Sequence, residues 1–127
     1  MDIEEEKNVL GGDLQPCSLD PLTGFHRNGR CQTGPYDHGC HAVCVQVTES
    51  FLEFSKSVGN DLGTPVEAYG FPGLKPGDRW CLCAERWVQA YEARSAPIVI
   101  IESTSEAALK HISRGVLEEF ALVETDE

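Results

Sequence analysis

A chain of 127 residues, 41% hydrophobic and 24% charged, has the composition of one globular domain; two separate cores would each be too small to be stable. The charge is lopsided, 21 acidic against 10 basic residues for a net of −11, with no basic run interleaved with aromatics. That argues against nucleic acid and anionic membranes as partners, and no apolar stretch approaches the roughly 20 residues of a membrane helix.

The opening Met1-Asp2-Ile3-Glu4-Glu5-Glu6-Lys7 is acidic and lacks the apolar centre of a secretory signal, so a cytoplasmic location is expected. Residues 1–7 read as a frayed tail, 8–122 as a single domain and 123–127 as a second acidic tail. Only four of the ten basic residues are Lys, and an acid-rich, Lys-poor surface suits a salty, halophilic cytoplasm that screens self-repulsion.

From Asn8 to Gly39 the chain is rich in turn residues, with Arg27-Asn28-Gly29-Arg30 reading as a hairpin tip. His41 to Val47 alternates, Val43, Val45 and Val47 on one face and Ala42, Cys44 and Gln46 on the other, which predicts a half-buried strand. Thr48 or Ser50 can cap the next helix, whose apolar stripe is Phe51, Phe54 and Val58, with Gly59 as its stop. Residues 60–78 form a second long loop, and long ordered loops are disproportionately functional.

Arg79 to Cys83 predicts a short strand with Trp80 facing the core, and Ala84 to Arg94 a helix that buries Trp87, Val88 and Tyr91. Ile98-Val99-Ile100-Ile101 is continuously apolar and predicts a central strand covered on both faces. Ser103-x-x-Glu106 predicts a helix running to about Ile112, and Ser113 caps a last one carrying Val116, Leu117 and Phe120. Three strand–helix alternations predict an α+β two-layer sandwich, a small sheet with helices mainly on one face.

Six cysteines, Cys17, Cys31, Cys40, Cys44, Cys81 and Cys83, carry the most chemistry. Without a secretory leader they read as thiols, core residues or metal ligands rather than disulfides. Cys81 and Cys83 share a strand face at roughly 6.5–7 Å, too far apart and too parallel to bridge without strain. They could supply half of a metal site, with Cys17 and Cys31 as the other half. Arg79 shares their face, and a guanidinium beside a thiol favours the nucleophilic thiolate.

Cys40 and Cys44 cannot share one ion, since a strand separates them by roughly 13 Å and turns His41 away from Cys44. The two loops add Asp20, His26, Arg27, Asp37, His38, Asn60, Asp61, Asp78 and Arg79 as polar candidates. If the strands entered at His41 and Arg79 ran parallel, those two residues would gather with Asp20, Asp37 and Asp78 at one rim. Such a rim could bind a small anion or activate Cys81. No nucleotide, phosphate-loop or nucleophile-elbow motif is present, and the sequence leaves the cofactor unknown.

Pro16-Cys17-Ser18-Leu19-Asp20-Pro21-Leu22-Thr23-Gly24-Phe25 resembles the opening motif of a bacterial family catalogued as domain of unknown function 2237. So do Gly59-Asn60-Asp61-Leu62 with Thr64-Pro65, and the run from Gly70-Phe71-Pro72-Gly73 through Asp78-Arg79-Trp80-Cys81-Leu82-Cys83. The likeness spans about residues 8–122. It implies an α+β two-layer fold with cysteines where Cys17, Cys31, Cys44, Cys81 and Cys83 stand, and no assigned activity; Cys40 occupies a place more usual for a small hydroxyl residue.

Three functional classes follow. The first is a small-ligand-binding or enzymatic domain with a polar loop site near Arg79 and Cys81/Cys83, its catalytic candidates Cys81, Arg79 and His41 and its ligand contacts Asp20, Asn60, Asp61, Asp78 and Arg79. The second is a metal-binding domain using Cys17, Cys31, Cys81 and Cys83. The third is a protein-interaction module anchored by Phe71 and Leu74 in an exposed loop.

Overall fold

The computed structural model describes residues 7–19, 22–24, 28–34, 37, 40–66, 68 and 73–121. Among them, three strands form one antiparallel sheet in the order β2-β1-β3: β1 is Val43–Gln46, β2 Arg79–Leu82 and β3 Ile98–Val99. Three α-helices, α1 (Glu49–Ser57), α2 (Ala84–Glu92) and α3 (Arg114–Glu119), complete the α+β fold with two 3-10 turns, Ile101–Ser103 and Glu106–Lys110.

Each helix starts where a hydroxyl or a change of backbone direction frees it from the preceding strand or loop. The Thr48 hydroxyl accepts the Phe51 N–H at 3.1 Å and caps α1, and Ser113 does the same for Val116 at the start of α3. Gly59, at φ +91°, follows α1 in the left-handed conformation that ends a helix. Burial then fixes the orientation of each helix. Phe51, Trp87 and Leu117 are fully buried against Val43, Val45, Val47 and Leu82, each side chain contributing about 1.5–3 kcal/mol by its removal from water. Trp87 stacks on Tyr91 and meets Phe120 edge-on at 5.3 Å.

The sheet's other face carries a second, smaller core of Cys17, Cys31, Cys44, Cys81 and Ile100. β1 is therefore buried on both faces, not half-buried as its alternation predicts: helices cover the valine face, and the N-terminal segment covers the cysteine face. The same segment reaches the outer edge of β2, where the Cys81 N–H donates to Thr23 Oγ1 at 2.9 Å.

The strand expected to be central is not. Ile98 and Val99 pair with β1 and the Ile100 N–H adds one bond to the Cys44 carbonyl, leaving β3 at the edge of the sheet, where the Val99 N–H donates to the Phe120 carbonyl. The cause is Thr104, whose hydroxyl donates to the Ile100 carbonyl and accepts the Cys44 N–H. This turn of chain takes the place a longer strand would occupy beside Cys44. The helix expected from Ser103 is also a 3-10 turn, capped by Ser105 through the Ala107 N–H.

The second loop is ordered where it is described. Leu74, expected to be exposed, is 3% exposed, and its N–H donates to the Leu62 carbonyl at 2.7 Å. Gly73 makes this approach possible at φ +83°, where a Cβ would sit 2.5 Å from the Gly63 carbonyl oxygen. Phe71, the other expected anchor, lies outside the described residues, as do Asp20, His26, Arg27 and His38. No helix among the described residues is long and apolar enough to cross a membrane.

Candidate functional site

The cysteines depart most from expectation. Cys17 bonds Cys44 and Cys31 bonds Cys81, with Cα separations of 5.7 and 5.2 Å, so four of the six expected thiols are disulfides. Comparing cysteines adjacent in sequence, such as Cys81 and Cys83, could not reveal this, because each bridge joins the turn-rich N-terminal segment to a strand far along the chain. Cys44 faces Cys81 across the β1–β2 ladder, which brings the two bridges side by side. The sulfurs of Cys17, Cys31 and Cys81 lie within 4.8 Å of one another.

That cluster corrects two expectations. A disulfide sulfur has no thiolate charge to offer a cation, so the proposed metal quartet of Cys17, Cys31, Cys81 and Cys83 loses three of its ligands. Cys81 likewise has no thiol to act as a nucleophile in this state.

The antiparallel register also dissolves the expected rim. Arg79 pairs with Gln46 at the far end of β1 from His41, roughly 16 Å away at about 3.3 Å per residue. Arg79 is half-buried and forms no ion pair among the described residues. Asp78 accepts the Lys75 N–H at 2.9 Å and serves the turn before β2. Asp61 is likewise a loop former: its carboxylate takes the Thr64 hydroxyl at 2.7 Å and the N–H groups of Gly63 and Thr64. The Thr64 hydroxyl foremost holds the Asp61 carboxyl below its ordinary range, against desolvation and with help from both N–H groups and Lys56.

What the fold does bring together is His41, Asn60, Cys83 and Arg86. They line a recess of about 230 Å³ on the helix face, walled by Trp80, Leu82 and Leu62, beside a shallower hollow that shares Cys83 and Arg86. The backbone sets each position. Val43 pairs with Leu82, and the Ala84 N–H donates to the Cys40 carbonyl at 3.0 Å, which lays the residues before β1 alongside those after β2. Cys83 is the N-terminal cap residue of α2, yet its side chain makes no capping bond, and its half-buried sulfur is a free thiol.

Arg86 follows one helical turn later, on the same side of α2. Its guanidinium donates to Gln89 Oε1 at 3.1 Å and approaches the Val58 carbonyl at 3.5 Å, both neutral acceptors. Among the described residues no carboxylate pairs with it. Asn60 is pinned to the last turn of α1 through the Ser55 hydroxyl and carbonyl.

Asp37 positions the imidazole. Its carboxylate, wholly buried, accepts the His41 backbone N–H at 2.9 Å and meets the ring Nδ1 at 2.7 Å, while the ring itself stays 40% exposed. This pairing fixes the ring's orientation. Residues 37 and 41 sit four apart in a turn rather than a helix, so no periodic signal announces the pair. The roles of Asp37 and Arg86 were the least legible in the sequence.

A family model described as "Uncharacterized protein conserved in bacteria (DUF2237)" matches residues 7–121, nearly the whole chain. The chain belongs to this family. The match includes every residue of the recess and all six cysteines, so the disulfide face and the thiol-bearing recess both lie within the DUF2237 domain. No curated protein matches the chain.

Proposed function

We propose that this DUF2237 domain is a small-ligand-binding or enzymatic domain whose reactive group is Cys83. The observation that carries this reading is one recess lined by a free thiol, an imidazole oriented by a buried carboxylate, and a guanidinium without a carboxylate partner among the described residues. Nucleophilic sites are recognised by such neighbours: a thiol, a base beside it, and a third group that orients the base.

The volume sets a scale. At about 230 Å³ the recess itself suits a small ligand, and the open hollow that shares Cys83 and Arg86 adds about 420 Å³ beside it. On compartment, the two disulfides weigh against the cytoplasmic placement expected from the sequence, because cytosolic thiols are kept reduced. The experiment is site-resolved alkylation with iodoacetamide at neutral pH. Cys83 is expected to react faster than a free cysteine and to lose that advantage in His41→Gln; a rate at or below that of free cysteine would end the reading.

A further inference from the structure

The chain repels anions in general, with a net charge of −11, yet the recess that holds the Cys83 thiol also holds a guanidinium that no carboxylate among the described residues neutralises. The two neutral acceptors on Arg86, Gln89 and the Val58 carbonyl, orient the guanidinium without cancelling its charge. Arg presents five donors in a planar fork suited to a carboxylate, and these two contacts engage only Nη1. Asn60 contributes a neutral amide to the same wall, and Trp80, Leu62 and Leu82 supply an apolar floor that lowers the local dielectric and strengthens a charge pair. Of the acidic residues among the described ones, Glu85 lines the outer hollow and not the recess, and Asp37 is engaged by His41.

We propose that the recess binds a small organic carboxylate, its anionic end on Arg86 and its remaining carbons over the Cys83 sulfur. This inference rests on the Cys83 site and names the ligand class that site selects. A charge-assisted pair of this kind contributes enough for about a tenfold preference or more.

Two alkylating reagents that differ in charge make the test: iodoacetate, itself a small carboxylate, and neutral iodoacetamide. In each case the Cys83 sulfur displaces iodide to form a carbon–sulfur bond, and the thiol proton leaves to the imidazole or solvent. The ratio of iodoacetate to iodoacetamide rates at Cys83, followed by peptide mass spectrometry, is expected to exceed that of 2-mercaptoethanol by about tenfold. Arg86→Gln should abolish the preference and Arg86→Lys should keep part of it. Sodium acetate should slow iodoacetamide at Cys83 in the unaltered protein, a readout that needs no variant to fold. Ready reaction with iodoacetamide, but with no preference for iodoacetate and no protection by acetate, overturns the carboxylate site and leaves the thiol site standing. Failure of Cys83 to react with either reagent overturns both.

Discussion

Asp37 is a buried carboxylate with two bonds to a single residue, the backbone and ring of His41. Removing it in Asp37→Ala leaves a donor without its partner and is expected to cost about 1–3 kcal/mol in denaturant unfolding. The same change frees the imidazole to turn, so Cys83 alkylation should slow in the folded fraction as well. An unchanged midpoint and an unchanged rate would show that the Asp37–His41 pair neither holds the loop nor serves the thiol.

Asp61 offers a different check, because its folded carboxyl titrates below the ordinary value of 3.8. A depressed carboxyl stabilises the folded state above the unfolded pKa, and that stabilisation is lost as pH falls through the lower folded value. Replacing Thr64 by Val removes the largest cause and should move the Asp61 titration, followed by NMR, upward toward the ordinary value. No movement would mean that the backbone N–H groups alone set it.

At the scale of elements, the two disulfides stitch the N-terminal segment to β1 and β2. They close separations of 27 and 50 residues, and chain entropy assigns them about 3.5 and about 4 kcal/mol respectively. Loop length therefore barely separates them. Paired replacements, Cys17→Ala with Cys44→Ala and Cys31→Ala with Cys81→Ala, should lower unfolding free energy by similar amounts, and a silent pair would contradict the stitching role.

The helices and strands themselves were largely legible. Alternation found β1, a Thr48 cap found α1, and a Ser113 cap found α3, because each signal is local. The placement of Ile98–Ile101 was not legible, since an apolar run reports burial and not which neighbours provide it. Thr104, which ends the strand by taking the Cys44 N–H, acts through a contact sixty residues away in sequence. Disulfide partners were illegible for the same reason.

Over the whole molecule, one small sheet separates two interiors of different kinds: aromatic and aliphatic packing under the helices, sulfur bridges under the loops. Trp87 centres the first. Its indole N–H is buried without a hydrogen-bond partner among the described residues, while its rings are packed by Tyr91 and Phe120. Trp87→Ala should cost about 3–5 kcal/mol, and Trp87→Phe clearly less, because the orphaned donor disappears with the indole. Equal losses in thermal or denaturant unfolding would deny the donor any cost.

The recess lies on that helix side, where the end of β2, the start of α2 and the residues after α1 meet, so rigid elements rather than loop tips hold its thiol and guanidinium. The sequence shows Cys83, His41 and Asn60 as separate candidates and does not group them with Arg86, because the pairing direction of two short strands is not written in either one. The most direct test is the rate at which iodoacetamide labels Cys83 in the native, unreduced protein at neutral pH, resolved residue by residue. The account predicts labelling of Cys83 faster than free cysteine, with both disulfides intact and the rate reduced in His41→Gln. Labelling no faster than free cysteine, or equally fast without His41, would contradict it.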